Sequence, residues 1–214
     1  VVIDIGGTSI KYGLADANGQ LLETHEMPTE AQKGGPHILK TTKEIVARYL
    51  KKHTLAGVAI SSAGMVDPDK GEIFYAGPQI PNYAGTQFKK EIEEAFQIPC
   101  EIENDVNCAG LAEVTTGHAK GSNNAVCLTI GTGIGGCLLL DGQVFHGFSN
   151  SACEVGYLHL PDGAFQDLAS TTALVEYVAE HHGDPVEQWN GRRIFKQATE
   201  GDKICMAGID RMVT

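Results

Sequence analysis

Two short glycine-rich turns and one aspartate carry the chemistry legible in this chain. The first turn is Asp4-Ile5-Gly6-Gly7-Thr8, at the end of the apolar run that opens the sequence. The second is Gly131-Thr132-Gly133, directly after the apolar run Ala125–Ile130. A tight glycine turn exposes successive backbone N–H groups, and with no Cβ atoms in the way those donors can wrap a phosphate. Two such turns can clamp a polyphosphate. Asp4 ends its strand where its carboxylate can hold a magnesium ion through water, since hard cations take carboxylate oxygen and keep several waters. Thr8 and Thr132 add hydroxyl groups, and Lys11 adds a positive charge. Each signal alone also fits a plain turn or a solvated strand lysine. The information lies in the pair.

Asp105 follows a short strand, Cys100–Glu103, and opens a helical stretch beside Asn104. A helix N-terminus favours the ionised carboxylate, so Asp105 is expected to be charged at neutral pH and able to take a proton from a hydroxyl group during phosphoryl transfer, a reaction that depends mostly on positioning and charge neutralisation. The local sequence reads equally as an ordinary N-cap, and alone it favours that reading.

The elements that must position these groups follow from periodicity. Ile10–Ala15 and Gln20–Glu26 read as strands about the turn Asn18-Gly19, completing a meander with the first run. After Gly34-Gly35-Pro36, the residues Ile38, Leu39, Ile45, Val46, Tyr49 and Leu50 share one helix face. Leu55–Ile60 reads as a strand, and 61–71 as a turn-rich loop. Phe88, Ile92 and Phe96 mark a second helix, and Gly117 is a plausible end for the helix opened by Asp105. From Ala125 the pattern begins again: strand, glycine turn, strand Gly135–Leu140, hairpin turn Asp141-Gly142, return strand Gln143–Phe145. Ser170 caps a helix over Thr171–His182, which Gly183 ends. Two more helical stretches run from about Arg192 to Thr199 and from Lys203 onward.

The second meander repeats the first. Asp4–Thr8 aligns with Thr129–Gly133, and Leu14-Ala15-Asp16 with Leu139-Leu140-Asp141. So long a period is not a solenoid. It suggests two similar domains, 1–117 and 118–214.

Composition sets outer bounds. The chain has 214 residues, 42% of them hydrophobic, and a net charge of −11, which argues against non-specific nucleic-acid binding and attraction to anionic membranes. Backbone phosphate binding needs no net positive charge. The six cysteines form no C-x-C or C-x-x-C, so the expectation is buried thiols in a reducing cytoplasm, with neither a disulfide scaffold nor a zinc site. No apolar run approaches the ~20 residues of a membrane span.

With these motifs in order, the chain resembles the ROK family, which groups bacterial sugar kinases and related repressors within the actin/hexokinase-like superfamily. The matching stretches are DIGGTSIKYG at 4–13, SSAGMVD at 61–67, IPNY at 80–83, EIENDVNCAGLAE at 101–113, TIGTGIGGCLLLDGQ at 129–143, EVG at 154–156 and LASTTAL at 168–174. The resemblance implies an α/β fold of the actin-like ATPase type: a duplicated RNase H-like fold, two domains around a cleft, the second incomplete here. It implies ATP-dependent phosphorylation of a hexose or derivative, at the 6-hydroxyl, with magnesium, and by family habit a homodimer. Asp4, Gly6, Gly7, Thr8, Lys11, Gly131, Thr132 and Gly133 become nucleotide-binding, Asp105 the catalytic base, and Gly64, Asn82, Asn104, Glu154 and Gln166 sugar-binding.

The sequence departs from the family at three places. Tyr157 stands where many members carry a zinc-binding histidine, and their cysteine cluster is missing, so no structural zinc is expected; His159 reads as an ordinary polar residue. Gln166 replaces a frequent sugar-binding glutamate, which leaves glucose, a β-glucoside or an N-acetylmannosamine-type sugar open. The sequence ends at Thr214, before the family's glycine loop for adenosine, so an open nucleotide site and an exposed apolar surface are expected. A sugar-sensing regulator without catalysis, or a sugar-binding remnant, are the competing readings. The acidic charge and a start on the first phosphate-loop strand count against DNA binding.

Overall fold

The computed structural model describes residues 1–214, and the chain divides into two compact units. Unit 1 holds Val1–Ala109 with Phe148–Asn150, and unit 2 holds Gly110–Gly147 with Ser151–Thr214.

Unit 1 is built on a five-stranded sheet. Its strands are β1 (Val2–Ile5), β2 (Ser9–Ala15), β3 (Leu21–Pro28), β4 (Val58–Ser62) and β7 (Cys100–Asn104), in the order β3-β2-β1-β4-β7. The first three form the expected antiparallel meander; β1, β4 and β7 run parallel. Helix α1 (Gly35–Leu50) is entered through Gly34, whose φ of 81° turns the chain. A side chain is excluded there as well, because a Cβ would lie 2.5 Å from the Pro81 carbonyl oxygen. Along α1 the residues Ile38, Thr41, Thr42, Ile45, Val46 and Tyr49 are buried, at the spacing of one amphipathic face. Of these, Ile38, Ile45, Val46 and Tyr49 join Ile3, Ile5, Ile10, Val58, Ile60 and Ile102 of the sheet in one core. Helix α2 (Phe88–Phe96) buries Phe88 and Ile92.

Two details differ from expectation. β4 begins at Val58 and runs on to Ser62, because parallel pairing with β1 and β7 carries it past Ile60 to Ser62. The stretch 61–71 is not merely a loop. It contains the start of a hairpin, β5 (Met65–Asp67) with β6 (Glu72–Tyr75), which turns at Gly71 with φ 68°. Three- and four-residue strands are too short to show a period.

Helix α3 (Asp105–Thr115) follows β7 directly, and the two units part within it. In unit 2, β8 (Ala125–Ile130), β9 (Ile134–Leu140) and β10 (Gln143–Val144) form a sheet in the order β10-β9-β8. The Asp141-Gly142 turn has φ values of 52° and 76°, as a two-residue hairpin requires. A small hairpin, β11 (His159–Leu160) with β12 (Gly163–Ala164), precedes α4 (Phe165–Ala169). Helices α5 (Thr171–His182), α6 (Gly191–Thr199) and α7 (Lys203–Val213) enclose a second core around Leu174, Val178, Trp189, Ile194 and Cys205. Each has a side-chain cap at its start, from Ser170, Asn190 and Asp202 respectively. Val126, Leu128 and Ile130, on one face of β8, are exposed. No helix is long and apolar enough to cross a membrane.

Candidate active site

The carboxyl ends of the three parallel strands in unit 1 lie side by side, the usual ligand edge of a parallel sheet. In register, Asp4 of β1 pairs with Ser61 of β4, which pairs with Glu103 of β7. One step on, Ile5 pairs with Ser62, and Ser62 with Asn104. Asp4, Asn104 and Asp105 thus come from chain segments about a hundred residues apart onto one edge. The Ser61 hydroxyl donates to Asp4 Oδ1 at 2.9 Å. Lys11, opposite Asp4 on β2, brings Nζ to 3.9 Å from Asp4 Oδ2, with both side chains well solvated. Such an exposed pair adds little stability but places a cation beside the first turn.

That turn, Gly6-Gly7-Thr8, is held from behind by Thr29, just past β3. The buried Thr29 hydroxyl donates to the Gly6 carbonyl at 2.6 Å, and the Thr29 N–H to the Thr8 carbonyl at 3.0 Å. Nothing in the sequence marked Thr29, which lies 23 residues away from Gly6. Thr29→Val is expected to cost about 1–2 kcal/mol, because it leaves a carbonyl without its partner; urea unfolding measures this.

Asp105 opens α3. Its Oδ1 accepts from its neighbour's N–H, Val106, at 2.9 Å and from Asn104 Nδ2 at 3.0 Å. The carboxyl remains open to solvent, yet the surrounding protein removes part of its hydration. This burial raises its pKa above the ordinary aspartate range; the Val106 N–H bond pulls the other way and the nearby Asp4 charge adds to the rise. Desolvation thus works against the helix N-terminus, which favours the ionised form, and outweighs it in the direction of the shift.

Asn104, expected as a sugar ligand, already makes four hydrogen bonds within the protein. Its Nδ2 donates to the Gly64 carbonyl at 2.9 Å and to Asp105, while its Oδ1 accepts from the N–H groups of Val106 and Asn107. The amide's full capacity is used, so contact with a sugar would need one of these bonds released. Its geometry is that of a cap that orients Asp105 and holds Gly64, whose φ is 93°. Asn82 is exposed with φ 52°. Its loop is pinned by the next residue, Tyr83, whose buried hydroxyl lies 2.6 Å from Ser62 Oγ. Ser61, Ser62 and Tyr83 were legible only as parts of quoted motifs, without roles.

In unit 2 the second turn is held by the start of α5. The Thr171 N–H donates to the Gly131 carbonyl at 2.9 Å, and the Thr172 hydroxyl to the Thr132 carbonyl at 2.8 Å. The turn therefore sits at a helix N-terminus, a natural anion site. Gln166 of α4 reaches the same place: a Cβ at Gly133 would lie 2.9 Å from Gln166 Oε1, and one at Gly156 3.1 Å from it. Gln166 is thereby brought beside both the turn and the segment carrying Glu154. Glu154 is partly buried, ahead of the short turn Val155–Tyr157. Tyr157 and His159 are exposed.

One observation bears directly on phosphate. A Cβ added at Gly7 or at Gly131 would meet nothing within 4 Å, and neither residue has a positive φ. Neither packing nor a positive φ requires glycine at these two positions, and the open space leaves room for close approach of a ligand. Each turn, taken within its own unit, thus leaves its backbone open to a phosphate, and Asp4 is a carboxylate of the kind that can hold magnesium.

A family model described as the ROK family matches residues 1–214. The chain belongs to the ROK family. Among its relatives, an uncharacterised protein of Clostridium perfringens is 49% identical over 99% of this chain and 72% of its own length. A beta-glucoside kinase of Klebsiella pneumoniae is 33% identical over 94% of the chain and 69% of the relative. Among solved structures, a Listeria monocytogenes protein proposed to be an N-acetylmannosamine kinase superposes with a TM-score of 0.88 at 30% identity, covering 99% of this chain and 74% of that one. A ROK family glucokinase from Streptomyces griseus, solved with glucose and AMPPNP, gives 0.81 at 26% identity, covering 98% and 74%. The fold of this ROK chain is accordingly α/β of the actin-like ATPase type. A ROK family transcriptional regulator shares it, with a TM-score of 0.86 at 22% identity, a likeness of fold alone. The ROK chain spans roughly three fifths to three quarters of these relatives' lengths; a glucokinase of Halalkalibacterium halodurans is matched over 59% of its own.

Proposed function

We propose that this ROK chain carries the machinery of an ATP-dependent sugar kinase, with Asp105 as the base. What carries the reading is Asp105 itself: a solvent-open carboxyl at a helix start, held by Asn104 and Val106, with its proton affinity raised. A base whose pKa is lifted towards the working pH accepts a hydroxyl proton more effectively. As that proton moves to Asp105, the sugar oxygen bonds to the terminal phosphorus of ATP. The bond from that phosphorus to the bridging oxygen breaks, and ADP leaves. Gly6, Gly7 and Thr8 of the first turn, and Gly131, Thr132 and Gly133 of the second, offer backbone donors to the phosphates. Asp4, oriented by Ser61, would hold a magnesium ion, which would supply neutralisation of their charge, and Lys11 would add to it.

Gly64, Asn82, Glu154 and Gln166 are the proposed sugar-facing groups, with Asn104 acting through Asp105. The named activities of the relatives support a hexose or hexose derivative, a beta-glucoside, glucose or an N-acetylated amino sugar, and the 6-hydroxyl is the proposed acceptor. Gln166 offers a neutral donor and acceptor in place of a carboxylate, which suits a substituted sugar as well as glucose.

The test is sugar-dependent ADP release with magnesium-ATP across glucose, cellobiose and N-acetylmannosamine. Sugar binding seen by calorimetry with no ADP release from any of them would replace this reading with that of a sugar-binding protein.

A further inference from the structure

The cysteine spacing excluded a zinc site, but the fold assembles a set of ligand atoms that spacing does not reveal. His182 ends α5, Asp202 caps α7, and Cys205 lies in the first turn of α7. Their ligand atoms, one from each residue, all lie within 4.8 Å of one another. This cluster is confined to unit 2 and shares no residue with the proposed kinase machinery.

Several features orient these atoms. Of the two consecutive histidines, His181 folds back, with Nδ1 2.8 Å from the Tyr177 carbonyl of its own helix. His182 turns inward instead. Its ring stacks on Trp189, with centroids 4.7 Å apart and planes 24° from parallel, so the imidazole is clamped. His182 Nε2 is buried and has no hydrogen-bond partner; Asp202 Oδ2 is 3.3 Å away, but not in hydrogen-bonding alignment. A buried ring nitrogen without a partner is unusual in a native interior. Asp202 Oδ1 accepts the N–H groups of Ile204 and Cys205, both at 2.9 Å. Those bonds fix the carboxylate and leave Oδ2 facing His182. Cys205 is fully buried, and its Sγ is 3.9 Å from Gln197 Oε1.

We propose that His182 Nε2, Asp202 Oδ2 and Cys205 Sγ form a three-ligand site for one borderline-soft divalent cation, with zinc the best match. Imidazole, carboxylate and thiolate together are the zinc donor set, whereas magnesium and calcium avoid sulfur. Zinc's bond lengths place neighbouring ligand atoms roughly 3.3–3.8 Å apart, so the present spacing closes with small side-chain movements. Gln197 Oε1 or a water fills the fourth position. The metal satisfies the orphaned nitrogen and staples the end of α5 to the start of α7, across the segment that carries Trp189 and α6.

The experiment is a cobalt(II) titration of the whole chain after chelator treatment, with native mass spectrometry for stoichiometry. One cobalt per chain is expected, with the near-ultraviolet absorption of a cobalt–thiolate bond and the visible bands of a tetrahedral centre. Cys205→Ser removes the thiolate absorption. His182→Gln weakens binding at least 10-fold, and so does Asp202→Asn, which keeps the oxygen that caps α7. Zinc raises the melting temperature of the wild type and not that of these variants. Melting curves of the metal-free variants separate lost ligands from lost folding. Thiolate absorption surviving in Cys205→Ser would assign the metal to another cysteine and overturn the site, as would the absence of stoichiometric binding by the wild type.

Discussion

Asp105→Asn is expected to lower sugar-dependent ADP release by about 10²–10⁴-fold, the usual contribution of a positioned general base, while leaving the fold intact. Asparagine keeps an oxygen to accept the Val106 N–H and Asn104 Nδ2 and loses only the ability to take a proton. The loss should appear in kcat, with sugar KM little changed, because the proton moves only in the transition state. The pH profile gives a second reading of the same residue. Burial, helped by Asp4, holds the Asp105 pKa above its ordinary value, so the rate of the wild type falls on the acid side at a higher pH than an unperturbed aspartate would give. For stability the sign is reversed. Above the raised native pKa the native state carries an ionised carboxylate it disfavours, and this destabilisation disappears as the pH falls from the native pKa to the lower unfolded one. Asp105→Asn removes it at every pH, so the variant should melt no lower than the wild type at neutral pH. A melting temperature that fell together with activity would mean that Asp105 is chiefly a structural cap.

Gly7→Ala and Gly131→Ala are expected to leave stability unchanged or slightly improved and to weaken ATP binding about 10-fold or more. Inside the protein the added methyl meets nothing at either position, and alanine restricts the unfolded chain, which by itself favours folding by about 0.4–1 kcal/mol. Against a phosphate the same methyl holds the anion off the backbone donors, and each charge-assisted hydrogen bond lost is worth about 1.5–3 kcal/mol. Gly136→Ala provides the contrast. Its Cβ would lie 2.3 Å from the Cys153 carbonyl oxygen, so it should destabilise the chain by about 1–3 kcal/mol or more through overpacking. Calorimetric titration with an ATP analogue, paired with thermal melts, separates the two classes. Equal ATP affinity in wild type and both turn variants would remove the phosphate role of the turns.

The sequence by itself determined the parts that obey local rules. The two meanders, the glycine turns, the face of α1, the spacing of Phe88, Ile92 and Phe96, and the Ser170 and Gly183 boundaries of α5 follow from periodicity, capping and left-handed backbone. Each of these acts within a few residues. The candidate residues were legible because chain-local motifs carry them, and the family match supplies their proposed roles. Tertiary structure decided what happens between segments distant along the chain. Parallel pairing of β1, β4 and β7 sets Asp4 beside Ser61 and Ser62 beside Asn104, and no local pattern encodes that register. Thr29 and Thr172 hold their turns through single hydroxyl groups from other segments, and isolated threonines give no signal in a sequence. The environment of Asp105 has the same origin: the helix start is visible locally, but loss of hydration depends on everything folded around the carboxyl. His182, Asp202 and Cys205 make the point most sharply, because metal ligands are recognised in a sequence by short spacings. These three meet only because α5 ends where α7 begins.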